Sequence, residues 1–297
     1  MSAELNGAFT HALPGNGARI GLCVLHDTVD RRLTSLIAMG RAATTLDDAL
    51  CYSLLSPGKR LRPLLTILAS WEFGPRDLRA LDAGCALEMV HAASLVLDDL
   101  PAMDNAVLRR GQPAAHVRFG EDVALLTVVA LLSRAYAVLG EAPGLPAHTR
   151  AELVGILSQA IGSEGLSRGQ LLDLRGACAG GGTHQSEVDH LKTGVLFVAA
   201  VDMAAAILEL RDERLTALRR CALHLGQAFQ LMDDLADEAD DGCSQTAMIS
   251  VIPLIARRDR RVRLERHLGS ALAELDPDGQ LADLIRSTFS DALRSPE

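Results

Sequence analysis

Two clusters of aspartates each follow a long apolar segment of the chain. The residues in these clusters are Asp98, Asp99 and Asp104 in the first and Asp233, Asp234 and Asp237 in the second. Carboxylates at the end of an apolar helix repel one another and the negative end of the helix dipole. A bound cation is therefore needed to stabilise them. Mg²⁺ suits this setting, because it binds through one or two carboxylates together with waters and substrate phosphates. The two clusters therefore predict the two walls of one divalent-metal site.

The spacing within each cluster supports this interpretation. On a helix that turns by about 100° per residue, the three aspartates of the second cluster share one face with Gln230. In the first cluster, Pro101 ends the helix, so a turn can bring Asp104 back towards Asp98. A single aspartate pair in an acidic protein is most simply a solvated cap or turn. Two clusters in the same setting favour metal binding instead.

Basic residues that could bind phosphate lie close to glycines or to the first cluster. Of the 29 lysines and arginines only Lys59 and Lys192 are lysines. Arginine binds phosphate through paired hydrogen bonds, and lysine acts as a point charge. The candidate segments are Gly58-Lys59-Arg60-Leu61-Arg62 at a loop-to-helix junction, Arg109-Arg110-Gly111 and Lys192-Thr193-Gly194. Free amides at the start of a helix also favour anions, so these segments predict a phosphorylated substrate.

The composition predicts an all-α protein, folded as one large helical bundle. The 297 residues are 48% hydrophobic and 3% aromatic, and leucines recur at helical spacing without an alternating strand pattern. We expect a weakly ordered arm over residues 1–27 and one helical domain over 28–297. The segment Val123 to Leu139 has so few polar positions that it predicts a central helix.

Charge and cysteine usage narrow the possible partners and compartments. A net charge of −9 argues against nucleic acid, which requires a basic surface. The arginines between residues 257 and 266 are more simply a solvated helix face. Six scattered cysteines, no signal-peptide pattern and no charge-free apolar run of membrane-spanning length predict a cytoplasmic protein without a transmembrane segment.

Taken together, these motifs resemble the polyprenyl synthetase family of trans-isoprenyl diphosphate synthases, in the form found in bacterial and plant geranylgeranyl diphosphate synthases. The resemblance runs in order over about residues 28–237. Its matching stretches are Gly58 to Pro63, Glu88 to Leu95, Asp98 to Asp104, Arg109 to His116, Phe119 to Glu121, Gly169 to Asp173, Lys192 to Phe197 and Gly226 to Asp237.

The resemblance implies a homodimer of helical bundles, each around a central active-site cavity. It implies Mg²⁺-dependent 1'-4 condensation of isopentenyl diphosphate with dimethylallyl, geranyl or farnesyl diphosphate. The implied metal ligands are Asp98, Asp99, Asp104, Asp233, Asp234 and Asp237. The implied contacts to the allylic diphosphate are Arg109, Lys192, Thr193 and Gln230, and those to isopentenyl diphosphate are Lys59, Arg60, His91 and Arg110. The implied catalytic residues are Asp98, Asp99, Lys192, Gln230 and Asp233.

Two small residues set the expected product length. In the family, bulky side chains four and five positions before the first aspartate block the growing prenyl chain, and here Ser94 and Ala93 occupy those positions. Four residues also separate Asp99 from Asp104, as in the spaced bacterial and plant motif. The resemblance therefore implies a C20 product, geranylgeranyl diphosphate.

One departure from the family keeps an alternative open. Residues 238–256 contain no lysine or arginine, and Met248-Ile249-Ser250 stands roughly where the family carries Lys-x-Thr. This motivates a catalytically weak homologue that serves as a binding or regulatory subunit. A di-iron bundle is a further alternative, because Glu88-x-x-His91 and Glu187-x-x-His190 have the required helical spacing. A terpene cyclase would share only one aspartate-rich motif.

Overall fold

The structure is a computed structural model that describes residues 20–38, 43–175, 187–188, 190–241 and 251–294. Most of the expected N-terminal arm, the glycine-rich stretch after residue 175 and Met248-Ile249-Ser250 lie outside these residues. The first helix begins at Leu22, so the last residues of the expected arm are helical.

Within the described residues the regular secondary structure is helical apart from one short hairpin. The helices are α1 (Leu22–Ile37), α2 (Thr45–Leu54), α3 (Leu61–Phe73), α4 (Leu81–Asp98), α5 (Ala115–Phe119), α6 (Glu121–Gly140), α7 (Ala147–Ile161), α8 (Leu166–Leu174), α9 (Val195–Leu208), α10 (Glu213–Asp241), α11 (Val251–Leu272) and α12 (Gln280–Arg294). A π-helical turn, His190–Gly194, precedes α9. The hairpin pairs β1 (Leu108–Arg109) with β2 (Gln112–Pro113). The all-α expectation is confirmed, although the hairpin was not predicted.

The chain divides into two compact units. The first contains the residues up to Ser158 together with Met203–Glu209, and the second contains Gln159–Asp202 and the residues from Leu210 onward. The expectation of a single domain over residues 28–297 stays a prediction.

Helices α3 and α4 form the interior of the first unit. Every residue from Leu61 to Trp71 is buried, as is typical of a largely apolar helix in the interior of a protein. The two helices approach closely at Gly84, where a side-chain Cβ would lie 2.7 Å from the Cα of Pro63. This packing holds α4 firmly, and α4 carries the first aspartate cluster at its C-terminal end.

Helix α6 is only partly central. One of its faces packs in the first unit, but Leu125, Leu126 and Val129 are 49%, 55% and 63% exposed. The predicted central position therefore applies to the packed face, and the face with these three residues is exposed. The reason is that hydropathy shows which residues are apolar but does not show whether another part of the same chain covers them.

Two described segments are long and apolar enough to cross a bilayer, judged by length and composition alone. They are Glu121–Gly140 and His190–Leu208, and 39% and 67% of their apolar windows are buried within the protein. Core helices of soluble proteins meet the same criterion. Both segments also contain charged residues, among them Arg134 and Asp202.

Candidate active site

The first aspartate cluster forms around the C-terminal end of α4. Asp98 is half-buried, Asp99 is buried and Asp104 is exposed. The backbone N–H of Asp104 donates to the carbonyl oxygen of Asp98 at 2.9 Å. The predicted return of Asp104 towards the helix end is confirmed.

The three aspartates of this cluster have different surroundings. Asp99 is 3% exposed and accepts hydrogen bonds from Arg109, with Nη2 to Oδ1 at 2.5 Å and Nε to Oδ2 at 3.2 Å. The bond to Asp99 is the largest cause that raises the pKa of Arg109, and the charges of Asp98 and Asp104 add to it. A protein cation thus already neutralises Asp99, which was expected to bind metal.

Asp98 and Asp104 fit the protein's share of a Mg²⁺ site. Mg²⁺ needs one or two carboxylates when phosphates and waters supply the remaining oxygens, and the turn after α4 brings these two residues together. In the second cluster the backbone of Asp233, Asp234 and Asp237 is helical within α10. Their side chains lie outside the described part of the structure.

The β1–β2 hairpin directs two arginines. Its central residues Arg110 and Gly111 both have positive φ, 52° and 75°, as a type I′ turn requires. Arg109 precedes the turn and reaches back to Asp99. Arg110 lies in the turn, and its Nη1 donates to the carbonyl oxygen of Pro57 at 2.6 Å. The two-residue turn therefore points the guanidinium groups of Arg109 and Arg110 towards different partners.

Four arginines lie near enough to His91 to act on its charge. His91 is half-buried, and its pKa lies well below the ordinary histidine value, first because the protein desolvates its ring and then because of nearby positive charges. In decreasing order of effect, those charges belong to Arg62, Arg110, Arg109 and Arg60. A neutral imidazole among four arginines can donate a hydrogen bond to an anion that the arginines attract.

Arg62 belongs to a segment predicted to bind phosphate, but the sequence motifs did not assign it to either substrate. It is 5% exposed and has the largest electrostatic effect of any charge on His91. The available signal was its place at the start of α3, three residues after Lys59. At this spacing the two residues lie on one helical face if the helix continues back to Lys59.

Arg60 occupies a different environment from the one expected. It is 5% exposed, and its guanidinium donates to Asp30 Oδ1 at 2.7 Å, to Glu88 Oε1 at 3.1 Å and to the carbonyl of Ser56 at 2.9 Å. Burial alone would lower its pKa, but the bonds and charges of Asp30 and Glu88 outweigh burial and raise the pKa. The structure therefore commits Arg60 to acceptors within the protein.

A cavity of about 130 Å³ lies beside the Asp99–Arg109 pair. Its apolar wall includes Tyr52, Ala92, Leu95 and Val96. The residues expected to set product length do not line it. Ala93 is buried, and Ser94 is half-buried with its hydroxyl donating to the carbonyl of His91 at 2.9 Å.

In the second unit, the structure brings together three residues that were expected to contact the allylic diphosphate. Lys192 Nζ pairs with Asp173 Oδ2 at 2.5 Å, and the hydroxyl of Thr193 donates to Gln230 Oε1 at 3.2 Å. Gln230 lies on α10 one turn before the second aspartate cluster. Asp173 was not predicted as a site residue, although it ends one of the family-like stretches.

Close backbone packing supports the π-helical turn that carries Lys192 and Thr193. A Cβ on Gly169 of α8 would lie 2.7–2.8 Å from atoms of Leu191 and Lys192. A Cβ on Gly226 of α10 would lie 2.7 Å from the Cα of Gly194. Two neighbouring helices thus touch the turn where only glycine fits, and π-helical turns often occur at functional sites.

Comparison with known proteins agrees with this arrangement. The family model described as Polyprenyl synthetase matches residues 43–245. The chain belongs to the polyprenyl synthetase family. A geranylgeranyl diphosphate synthase from Pantoea ananas is 40% identical over 257 residues, which is 83% of this chain and 84% of that protein.

Two solved structures share the fold of this polyprenyl synthetase at 29% identity. They are an FPP/GFPP synthase from Zymomonas mobilis, with a TM-score of 0.77, and a geranyltransferase from Legionella pneumophila, with a TM-score of 0.78. Each alignment covers 92% of this chain, and 97% and 96% of the respective neighbours. The all-α isoprenoid synthase fold and prenyltransferase activity expected from the sequence are confirmed.

The surroundings of the two Glu-x-x-His motifs also disagree with a di-iron bundle. Glu88 is bonded to Arg60, and Glu187 pairs with Arg168 at 3.2 Å. Across the described side chains, no group of three or more His, Cys, Asp and Glu residues could hold a metal ion. In this polyprenyl synthetase both glutamates bind arginine.

Proposed function

We propose that the protein catalyses Mg²⁺-dependent 1'-4 condensation of isopentenyl diphosphate with an allylic diphosphate, giving geranylgeranyl diphosphate. The observation that carries this proposal is the arginine cluster around His91, two helical turns before Asp98 on α4. This arrangement supports a diphosphate site next to a metal site, as the condensation requires.

Each binding group has a distinct part in the proposed reaction. Lys59, Arg62, His91 and Arg110 bind the diphosphate of isopentenyl diphosphate. Asp98 and Asp104, together with the second aspartate cluster, would hold Mg²⁺, which when bound neutralises charge on the departing diphosphate. Lys192, Thr193 and Gln230 bind the allylic diphosphate. Arg109 also binds it, and Asp99 holds the Arg109 guanidinium in position.

The chemistry needs no nucleophile from the protein. The C1–O bond of the allylic substrate breaks, and its electron pair leaves with the diphosphate. The double bond of isopentenyl diphosphate forms the new bond from its C4 to that C1, and a proton is then lost from C2. The chain's own residues bind both diphosphates, orient the two carbons and keep water away from the cationic centre.

The proposed C20 product length is supported by the small side chains of Ala93 and Ser94 and by the name of the Pantoea relative, a geranylgeranyl diphosphate synthase. The Zymomonas neighbour is named for other prenyl products, so product chromatography is the deciding measurement. The purified protein should convert labelled isopentenyl diphosphate and each allylic primer to C20 diphosphate only when Mg²⁺ is present. A protein that consumes no allylic primer would overturn the enzyme proposal.

Because residues 238–256 contain no lysine or arginine, a second candidate function is that of a binding or regulatory subunit. The same assay separates the two, because a regulatory subunit would be inactive alone and would change the products of an active synthase when mixed with it.

We further propose a homodimer in the cytoplasm. We propose that a second copy of the chain covers the exposed apolar face of α6, which carries Leu125, Leu126 and Val129. Large exposed apolar patches mark interaction sites. The described cysteines are free thiols, which suits a reducing compartment.

A further inference from the structure

Three consecutive carbonyl oxygens in the loop before α3 each accept a hydrogen bond from a basic side chain. Ser56 O accepts from Arg60 Nη2 at 2.9 Å, and Pro57 O accepts from Arg110 Nη1 at 2.6 Å. Gly58 O bonds to His26 Nε2 at 2.9 Å. A carbonyl oxygen only accepts, so Nε2 of His26 must carry the proton in this bond. The three donors come from α1, from the start of α3 and from the hairpin.

Helix α1 holds Arg60 in place through one carboxylate, which also lies beside His26. Asp30 Oδ1 accepts from Arg60 Nε at 2.7 Å, and Asp30 Oδ2 lies 3.3 Å from His26 Nδ1. On the other side of Arg60, Glu88 of α4 accepts from Nη1 at 3.1 Å. The loop is therefore clamped between α1 and α4 by side chains that do not themselves need to reach a substrate.

The backbone of Arg60 shows why such a clamp is required. Its φ of 47° and ψ of 35° lie in the left-handed region, which costs a residue other than glycine free energy. Lys59 immediately precedes this strained residue, and Arg62 follows it by two positions. If Arg60 relaxes, both side chains move.

We infer that Asp30, acting through Arg60, and His26, acting through the carbonyl of Gly58, are positioning residues that set Lys59 and Arg62 for the diphosphate of isopentenyl diphosphate. This inference rests on the proposed function and deepens it, because it assigns a role at that site to the first helix. It also gives Arg60 a role that differs from direct contact with substrate.

The physical reason is electrostatic as well as steric. Each carbonyl oxygen is the negative end of a dipole and would repel a bound diphosphate. Hydrogen bonds from three basic side chains offset that negative potential at the place where the anion must bind. They also fix the loop before the substrate arrives, so less ordering remains to be done on binding.

The test compares Asp30→Asn with Asp82→Asn. Asp82 is a matched control, because it accepts two hydrogen bonds from Arg32 of α1 at 2.7 and 2.8 Å and so ties the same helix to α4 without touching the loop. Asp30→Asn should raise the KM for isopentenyl diphosphate about tenfold and leave the KM for the allylic primer within about twofold. Asp82→Asn should lower the melting temperature without this split in KM.

His26 provides a second pair of variants. The amide nitrogen of glutamine can take the place of Nε2, whereas that of asparagine falls near Nδ1 and cannot reach Gly58 O. His26→Gln should therefore keep a KM for isopentenyl diphosphate close to wild type, and His26→Asn should raise it as Asp30→Asn does. If Asp30→Asn fails to fold, this pair decides the inference alone.

Several outcomes would overturn the inference. One is that Asp30→Asn and Asp82→Asn raise the KM for isopentenyl diphosphate and the KM for the allylic primer to the same extent, which would indicate a merely structural role. Another is identical behaviour of His26→Gln and His26→Asn. If the wild-type protein shows no prenyl transfer, the proposed function fails, and calorimetry with inorganic diphosphate still tests positioning. In that case wild type should bind diphosphate about tenfold more tightly than Asp30→Asn, and equal binding would overturn the inference.

Discussion

Arg109 donates hydrogen bonds to both carboxylate oxygens of Asp99, ten residues earlier in the chain. One aspartate of the first cluster is thus neutralised by the protein before any metal binds. The cluster consists of two carboxylates suited to Mg²⁺, Asp98 and Asp104, and one that anchors an arginine.

This division predicts different defects for the aspartates. Asp98→Asn and Asp104→Asn should raise the Mg²⁺ concentration needed for half-maximal diphosphate binding and activity by about tenfold or more. Asp99→Asn should leave that concentration nearly unchanged and lower kcat about 100-fold, as expected when a charged donor is no longer positioned. Mg²⁺ titrations followed by calorimetry and by product formation measure both quantities. An unchanged kcat for Asp99→Asn would contradict the anchoring role.

Glycine packing around the π-helical turn predicts a stability and activity defect. In Gly226→Ala the new methyl group would meet the Cα of Gly194, so the turn that carries Lys192 must shift. We expect a loss of about 1–3 kcal/mol in the free energy of unfolding, together with a raised KM for the allylic primer. Urea denaturation and steady-state kinetics measure these effects.

Gly155→Ala is the matched control for that substitution. Gly155 lies within α7 and has open space around its Cβ position, so alanine there should leave kinetics unchanged and increase helix stability by up to about 1 kcal/mol. Equal effects of the two substitutions would show that the close contact at Gly226 is unimportant.

Stability should fall in acid partly because of His91. Burial and nearby arginines lower the pKa of His91 in the folded protein, and burial followed by the charge of His224 lowers that of His267. The unfolded chain protonates these groups near pH 6.5, before the folded chain does, so each contributes stability that is lost as the pH falls below about 6.5. Urea denaturation at pH 7.5 and 5.5 should show a smaller decrease for His91→Gln than for wild type. A decrease of the same size would count against a desolvated, neutral His91.

The exposed face of α6 predicts a dimer-breaking substitution. Val129→Arg should convert a particle of twice the 31.6 kDa chain mass into a monomer, because it places a charge in the proposed apolar interface. Light scattering coupled to size-exclusion chromatography measures the mass. Val262→Arg is the control, since Val262 on α11 is also exposed, at 47%, and should leave the mass unchanged. A wild-type monomer would contradict the proposed assembly.

Ser94→Phe should shorten the product. A phenyl group four residues before Asp98 would obstruct the growing chain, so the variant should stop at C15 and still elongate dimethylallyl and geranyl diphosphates. Reverse-phase chromatography of dephosphorylated products measures the distribution. Wild-type and variant proteins that both extend farnesyl diphosphate equally would show that position 94 does not limit length.

The sequence by itself determined the helical fold and the family, and it predicted the residues of the proposed site. Helical spacing alone placed Gln230 on the face of the second aspartate cluster, and Pro101 predicted the turn that returns Asp104 to Asp98. Such inferences succeed because they depend on neighbours within one or two turns, where backbone geometry is nearly constant.

Only the tertiary structure decided what each cation does. Arg60 and Arg62 are two residues apart and carry the same charge, yet the left-handed backbone at Arg60 directs its guanidinium to Asp30 and Glu88, while Arg62 acts on His91. Those carboxylates lie about thirty residues away in each direction, so no local pattern reveals them. The exposed face of α6 has the same origin, because apolar residues report a need for burial without specifying what provides it.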